Sequence, residues 1–366
     1  TLILRYLLGE LGPSAALGTL GLWRPDGSLS PRGRMTTPGP LQLNADLSEA
    51  LETGAAWFAM EVSSHALDQH RVEGLEFAAA VFTNLSREHL DYHPDMESYR
   101  AAKLAFLDHL AADGVAVVNA DDPAWRVPAF ERARTIRFGL GERADVRALD
   151  VRHSAAGSRW TLATPAGRAD VELPLLGDFN VSNALGAAAA AYALGCPVER
   201  LAARLGDAPG VPGRMETLAG PPGPLVVRDY AHTPDGLSRA LAALRPLAAG
   251  KLTVVFGCGG DRDRGKRPLM GEAAVAGADR VIVTTDNPRT EPRERIIGDI
   301  LLPLPDGAAE VIEDRAEAIE AAVRASGSGD VVLLAGKGHE TYQDVHGEKR
   351  PFDEAAIVRA LTGGPA

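Results

Sequence analysis

Residues 61–103 read EVSSHALDQHRVEGLEFAAAVFTNLSREHLDYHPDMESYRAAK, and the reading of this stretch decides the fold. Two apolar runs frame its polar groups: AAWFAMEV at 55–62 and LEFAAAVFTNL at 75–85. Each is short, rich in Ala, Val and Phe, and ends in polar residues, which is the pattern of a buried parallel strand. Neighbouring strands of this kind would carry Glu61 and the loop 84–93 to one crevice, where open α/β sheets bind ligands. The polar groups themselves suit metals and anions. Glu61, Ser63, Ser64, His65, Gln69, His70 and Arg71 come first, His89, Asp91 and His93 follow, and Lys103 closes the set.

Composition narrows the classes. A chain of 366 residues has room for two or three domains and a sizeable core. With 45% hydrophobic and 24% charged residues it reads as soluble and globular. A formal net charge of -11 speaks against a nucleic-acid partner. Cys196 and Cys258 stand in unrelated contexts, with neither a disulfide framework nor a zinc spacing, which suits a reducing cytoplasm. The longest apolar run, ALGAAAAAYALG, is too short to cross a bilayer, and no signal peptide is visible, so no membrane partner is expected. The chain opens on Thr1 without Met and enters the helical pattern TLILRYLLGEL with no lead-in, as a cut through a longer protein would.

Taken in order, the pattern predicts a helix over 1–11, a strand and a hairpin about Pro25-Asp26-Gly27, and a helix over 40–54. The two strands described above come next, then a helix over 95–112 carrying Lys103. GVAVVNADDP reads as another buried strand, and RWTLAT with ADVELPL alternates like a small antiparallel ribbon. GDFNVSNALGAAAAAYALG is a capped helix. A boundary falls in DAPGVPG, dividing the chain into domains 1–210 and 211–366. Beyond it, LVVRDYAHTP, KLTVVFGCGGDRDRGKRP, RVIVTTDNPRTEP and VVLLAGKGHETYQ each place a charged, Gly-rich loop after a strand, with helices between. That alternation makes the fold class α/β, two doubly wound domains.

Several constellations carry chemistry. Carboxylate and imidazole, as at Glu61 and His89, are ligands for a divalent ion. Lys103 joins them only if its amine adds carbon dioxide to become a carbamate; otherwise it is a solvated helix lysine and Glu61 a cap. Thr36, Thr37, Ser63, Gln69 and Arg71 offer hydroxyls, an amide and a guanidinium to an anionic substrate, or hydrogen bonds within the loop. In GCGGDRDRGKRP, Gly admits close backbone approach, and Arg262, Arg264, Lys266 and Arg267 can grip a carboxylate or form a basic solvated loop. Pro288 sets a turn in which Asp286, Asn287 and Arg289 can converge on one ligand. Gly336 and Gly338 give backbone access, and Glu340 offers a negative charge to an ammonium. Strand-end loops of one sheet lie together, so the last three groups are expected to form one pocket for an amino acid. His232 reads as a structural histidine.

MEVSSHALDQHRV, FTNLSREHLDYH, AAK, GDFNVSNALGA, VPGRME, DYAHTPD, FGCGGDRDRGKRPLMG, DNPRTE and AGKGHETYQ, in this order over nearly the whole chain, resemble the Mur ligases, and among them the branch that builds the tripeptide of peptidoglycan. The resemblance implies a central P-loop-type ATPase domain and a C-terminal Rossmann-like domain. It implies a monomeric, cytoplasmic, ATP- and magnesium-dependent ligase that adds meso-diaminopimelate to UDP-N-acetylmuramoyl-L-alanyl-D-glutamate through an acyl phosphate. By position, Lys103 would be carbamylated and would hold magnesium with Glu61 and His89. Thr36, Thr37, Ser63, Gln69 and Arg71 would contact the UDP-muramoyl dipeptide. Asn180, Asn183, Arg214 and Asp229 would lie on the nucleotide side. Arg262, Asp286, Asn287, Pro288, Arg289, Gly336 and Glu340 would bind the amino acid. DNPR accompanies diaminopimelate; lysine-adding ligases tend to lack that Arg, and an ornithine-adding relative, a folylpolyglutamate-synthase-like relative and a non-catalytic binding module are the alternatives. The chain departs from the family pattern in lacking a GTxGKT-type loop and an amino-terminal domain before Thr1, so the chain as it stands is expected to be inactive and its longer parent active. Met35 replaces the Asn that often precedes Thr-Thr, which puts one substrate contact in doubt.

Overall fold

The computed structural model describes residues 1–31, 35–86 and 92–363. They divide into two compact units. The first comprises Thr1–Arg152, Ser158–Pro174 and Phe179–Pro209; the second comprises His153–Gly157, Leu175–Asp178 and the chain from Gly210 onward.

In the first unit, helix α1 (Leu2–Leu8) leads into β1 (Ser14–Gly18), β2 (Gly21–Trp23) and β3 (Leu29–Ser30). The β2–β3 hairpin turns at the expected Pro-Asp-Gly, where Gly27 takes φ 87. Helix α2 (Pro40–Glu52) then returns the chain to β4 (Trp57–Met60), which pairs parallel with β1. Helix α3 (Ser64–Asp68) precedes β5 (Phe77–Phe82). Here the structure corrects the sequence reading. β4 and β5 do not pair; each is the edge of its own sheet, β4 in the order β3-β2-β1-β4 and β5 in a six-stranded one. Both are half-buried rather than buried. An Ala-rich run looks buried in sequence because Ala has no polar group to mark an exposed face.

Helix α4 (Met96–Leu104), capped by the Asp95 carboxylate, is shorter than expected. Phe106 packs on Phe77 and Phe82, with ring centroids 4.9 and 6.2 Å apart. That contact draws residues 105–109 into a 3₁₀ turn and starts β6 (Leu110–Asn119) early. β6 lies between β5 and β7 (Arg134–Gly139), both parallel to it, and is buried along its second half. The ribbon is β8 (Val146–Ser154), β9 (Gly157–Thr164) and β10 (Gly167–Leu173), giving the order β10-β9-β8-β7-β6-β5. Helix α5 (Asp178–Ala193) is almost wholly apolar and buried on most sides, as such a helix must be. Helix α6 (Val198–Gly206) ends this part of the chain.

The second unit has β11 (Glu216–Ala219), β12 (Leu225–Asp229), α7 (Pro234–Leu244), β13 (Leu252–Phe256), α8 (Lys266–Gly277), β14 (Arg280–Val283), α9 (Arg293–Leu301), β15 (Glu310–Val311), α10 (Arg315–Arg324) and β16 (Val331–Ala335). The hairpin β17 (Tyr342–Val345) and β18 (Glu348–Pro351) and helix α11 (Glu354–Thr362) follow. The sheet order is β11-β12-β16-β13-β14-β15, parallel except for β11. β12, β13 and β16 are buried at every residue, as the centre of a doubly wound sheet requires. Alternate residues Val226, Val255, Ile282, Val332 and Leu334 face Ile319 of α10 and Val358 of α11 in one core. β16 is inserted between β12 and β13, so the order reverses beside its carboxyl end, where such sheets bind ligands.

A fully buried ion pair ties α10 and α11 to that reversal. Arg315 Nε donates to Glu354 Oε1 at 2.8 Å, and Arg315 Nη2 donates to the Ala335 carbonyl at 2.9 Å. Removing one partner leaves a buried charge unmatched. Glu354→Ala is expected to cost about 3–5 kcal/mol in urea unfolding. Arg315→Met combined with Glu354→Leu is expected to recover most of that loss, because an apolar pair of similar volume needs no desolvation.

Candidate active site

Two clusters of polar groups stand out, one in each unit. In the first, Thr37 is fully buried, and its hydroxyl ties the segment after β4 together. It donates to the Glu61 carbonyl at 2.9 Å and accepts from the Ser63 N–H at 3.0 Å. Ser63 in turn caps α3 by accepting from Ala66 N–H at 3.2 Å. Arg71 Nη1 donates to the Thr37 carbonyl at 2.7 Å, and its remaining face is bonded to Gln69 Oε1. Gln69 Nε2 donates to the Tyr92 hydroxyl at 3.2 Å. Four of the five residues expected to hold an anionic substrate are therefore one hydrogen-bonded network. Thr37, without solvent access, shapes it from behind.

A cavity of about 430 Å³ opens here. Thr36, Ser63, His65 and Arg71 line one side, and Thr83, Asn84, Ser86, Tyr99 and Lys103 complete it. The ends of β4 and β5 thus reach one crevice although the strands do not pair. Lys103 lies in the last turn of α4 with Nζ 5.1 Å from the Tyr99 ring centroid. His93, buried behind it, stacks on Tyr99 and bonds Ser64 Oγ at 3.0 Å. The Glu61 carboxylate is engaged at Thr19, whose hydroxyl donates to Oε2 at 3.0 Å and whose N–H lies at 3.3 Å. Thr19 and Thr36 hydroxyls meet at 3.1 Å. The Glu61 carboxylate lies over Gly18, where a Cβ would come within 2.5 Å of Oε1 and turn that carboxylate aside. One carboxylate and two hydroxyls form an all-oxygen set that suits a hard divalent cation. His89 and Asp91 lie outside the described residues. Asn180 is buried in the first turn of α5, and Asn183 is exposed one turn later.

In the second unit, the loops after β13 and β14 are zipped together. Gly260 N–H donates to the Asn287 carbonyl at 2.9 Å, and Asp261 Oδ2 accepts from Thr290 N–H at 3.0 Å. Glu291 closes the zip. It accepts from Asp261 N–H at 2.7 Å, from both terminal nitrogens of fully buried Arg267 at 3.0 and 3.1 Å, and from Arg264 at 3.2 Å. Arg267 also pairs with Asp299 at 2.8 Å, and Lys266 Nζ donates to the His232 carbonyl at 2.8 Å. Of the four cations in GGDRDRGKR, three therefore build the loop, and Arg262 alone has neither an ion pair nor a side-chain hydrogen bond among the described residues.

Arg289 takes a left-handed backbone, φ 50, unusual for a side chain of its size. Its Nη1 donates to the Gly260 carbonyl at 2.6 Å, and Nε lies 3.7 Å from Asp344 Oδ2. Nη2 has no hydrogen bond among the described residues. A Cβ at Gly259 would sit 2.9 Å from Arg289 Nη1 and 3.7 Å from Arg262 Cγ, so both arginines pass over a bare Gly. Beside them, Asn287 Nδ2 donates to Glu340 Oε2 at 2.8 Å. Lys337, which the sequence reading passed over between its two glycines, is fully buried and reaches Asp286, Asn287 and Glu340. Its signal in the sequence was a lysine one glycine beyond an all-apolar strand, where little solvent is available. Pro288 is buried, its carbonyl against Gly260. Gly336 takes φ 109 with its α-carbon facing Asp286.

Asp229 and Arg214 behave differently from each other. Asp229 spends both oxygens on backbone, accepting from Met215 and Ala231 N–H at 2.8 Å each, and burial pushes its carboxyl up. It pins the segment 213–216 to the end of β12. Arg214 is exposed, its guanidinium 4.7 Å from the Tyr230 ring centroid. Both cysteines are free and buried, and burial raises the Cys258 thiol to about 12.

The Mur ligase middle domain matches residues 2–191, and the glutamate ligase domain of Mur ligases matches residues 213–338. UDP-N-acetylmuramoyl-L-alanyl-D-glutamate--2,6-diaminopimelate ligase of Gloeobacter violaceus is 46% identical over 364 residues, 98% of this chain and 73% of its own. The ligase of that name from Alkalilimnicola ehrlichii is 48% identical over 353 residues, 94% of this chain and 70% of its own. A solved structure of a ligase of that name superposes with TM-score 0.70 at 39% identity, covering 99% of this chain and 75% of that one. The Thermotoga maritima MurF ligase solved with ADP has the same fold, with TM-score 0.69 at 18% identity over 99% of this chain and 75% of that one.

The zip gives a pH dependence. Its hydrogen bonds from Arg267 hold the Glu291 carboxyl down at about 2, below its usual 4.5. A depressed carboxyl stabilises the folded state above its unfolded value, and that contribution is lost as pH falls from 4.5 through about 2. The urea midpoint of the native protein is expected to fall through this window more steeply than that of Glu291→Gln. At neutral pH the variant is expected to be less stable by about 3 kcal/mol, because Arg267 keeps only Asp299 as a counter-charge.

Proposed function

The chain belongs to the Mur ligase family, and on that premise we propose that the full-length protein joins meso-diaminopimelate to the D-glutamyl carboxylate of UDP-N-acetylmuramoyl-L-alanyl-D-glutamate at the expense of ATP. The proposal takes the enzyme to be a cytoplasmic monomer; among the described residues no helix is long and apolar enough to cross a membrane. The observation that carries the choice of amino acid is the mixed cluster at the end of β13, β14 and β16. Arg289 and Arg262 over bare Gly259 suit a carboxylate, and Glu340 with Asp286 and Asn287 suits an ammonium. Diaminopimelate carries such a pair at each end. Pro288 and Gly336 hold the turns that bring these groups together.

The chemistry asks two things of the chain. The glutamyl carboxylate must approach the γ-phosphate of ATP, anion against anion, to form an acyl phosphate. The amine of the amino acid must then be held, unprotonated, in line with the activated carbon so that phosphate leaves. In the first unit, Thr36, Ser63, Gln69 and Arg71 would hold the UDP-muramoyl dipeptide, with Thr37 supporting the loop. In the same unit, Asn183 would serve the nucleotide, with buried Asn180 behind it. Arg214 is the nucleotide-side candidate of the second unit, and Asp229 would fix the segment that bears it. Glu61 with neighbouring hydroxyls, His89 and a carbamate on Lys103 would hold magnesium. When bound, the ion screens the charge between carboxylate and phosphate. The carbamate converts a cation on the cavity wall into an anion able to ligate.

The deciding experiment is a ligase assay of the full-length protein with the UDP-muramoyl dipeptide, ATP, magnesium and diaminopimelate, lysine or ornithine in turn. Phosphate release that depends on diaminopimelate supports the reading; preference for lysine or ornithine sinks the amino-acid assignment. Arg289→Ala is expected to weaken diaminopimelate by about 1.5–3 kcal/mol, the worth of a charge-assisted hydrogen bond, measured as a rise in its KM. Lys103→Ala is expected to abolish turnover without rescue by bicarbonate. The native protein, equilibrated with ¹³C-bicarbonate, should show a carbamate carbon resonance that the variant lacks; activity retained by Lys103→Ala counts against the carbamate.

A further inference from the structure

Among the described residues Lys337 is the one fully buried lysine. It stands between Gly336 and Gly338 at the end of β16, and its ammonium lies 3.4 Å from Asp286 Oδ1, 3.2 Å from Asn287 Oδ1 and 3.5 Å from Glu340 Oε2. Two hydrogen bonds and an ion pair thus meet the ammonium, the condition on which a buried charge is tolerated. All three acceptors belong to the pocket proposed for the amino acid.

The geometry also fixes which way those groups point. Asn287 Oδ1 faces two donors, Lys337 Nζ and the Asp344 N–H at 2.9 Å. An amide oxygen only accepts, so Nδ2 is turned to Glu340 Oε2. Oε2 of Glu340 is therefore engaged twice, whereas Oε1 takes no hydrogen bond among the described residues. Asp286 is divided in the same way: Oδ1 faces Lys337, and Oδ2 has no hydrogen bond there.

We infer that Lys337 is the positioning residue of the amino-acid pocket, drawing one oxygen each of Asp286 and Glu340 onto its ammonium and leaving the other oxygen of each for the ammonium of the incoming substrate. The inference rests on the functional reading above. Without Lys337 the two carboxylates repel each other or share a proton, and Asn287 loses one of the two donors that set its orientation. A ligand ammonium then meets an acceptor pair that is no longer aimed.

Steady-state kinetics of the full-length enzyme test it. In Lys337→Met, of similar length and without charge, the KM for diaminopimelate is expected to rise about tenfold or more, the worth of a charge-assisted hydrogen bond. The KM values for ATP and the UDP-muramoyl dipeptide should stay unchanged, with kcat within about threefold. Lys337→Arg is expected to recover part of the loss. An unchanged diaminopimelate KM, or equal losses for all three substrates, overturns the inference. Should Lys337→Met fail to fold, Lys337→Gln, which keeps a donor, is measured by the same split. If the native enzyme uses lysine or ornithine instead, the choice of diaminopimelate falls while the effect of Lys337 on the KM of the amino acid actually used still decides the inference.

Discussion

Arg267 has no access to water, so its charge must be met inside the protein. Glu291 and Asp299 meet it. Glu291 is the last residue of the turn after β14, and it also takes the Asp261 N–H from the loop after β13. One buried guanidinium therefore makes two loops into a single body. The consequences run outward from there. Gly260 must be Gly because the Pro288 carbonyl would lie 1.9 Å from its Cβ. Arg289 is held in a left-handed conformation with its guanidinium on the Gly260 carbonyl. Arg262 and Arg289, which solvent reaches, are placed by Arg267, which it does not reach.

The first unit follows the same logic with a neutral group. The Thr37 hydroxyl joins the Glu61 carbonyl to the Ser63 N–H, and Ser63 then opens α3. Arg71 reaches back to the Thr37 carbonyl from beyond that helix. The cavity wall is thus preorganised by hydrogen bonds whose partners are already satisfied. A polar ligand arriving there meets side chains with fixed directions, and little ordering remains to be done on binding.

Much of this was legible in the sequence. The alternation of apolar runs with Gly-rich charged loops marked the doubly wound second unit, and the hairpin at Pro25-Asp26-Gly27 and the ribbon after Val146 lie where their turn residues and alternation put them. Strand pairing was not legible. Trp57–Met60 and Phe77–Phe82 look alike as apolar runs, and only their partners, β1 and β6, show that they edge different sheets. Nor does a motif say which of its polar residues face a ligand. DNPRTE mixes Asn287 and Arg289 with Glu291, and GGDRDRGKR mixes Arg262 with Arg264 and Arg267. Burial and partner decide among residues of the same type, and neither is a property of the letter. Lys337 was missed for the converse reason: a lysine is read as solvated unless its surroundings are known.

Under the proposed function, charge complementarity would give the second cluster its selectivity. Lys337 is paired with Asp286 and Glu340, Arg289 with Asp344, and Arg262 lies beside Arg289 over Gly259. A site that sets carboxylates at one end and guanidiniums at the other favours a ligand whose own ends carry both signs. Diaminopimelate, with two ammoniums and two carboxylates, meets that description. Lysine lacks the distal carboxylate and brings one net positive charge; it would leave Arg289 Nη2 unbonded in a half-buried site, with Asp344 at 3.7 Å from Nε the guanidinium's ion-pair partner among the described residues. The cost of such an unmatched group exceeds what the same charge would forgo in water, because screening is weaker there. Discrimination on this view lies in the penalty against the wrong ligand as much as in the bonds to the right one. Under the proposed function, the guanidinium of Arg289 would then stand at the centre of the choice.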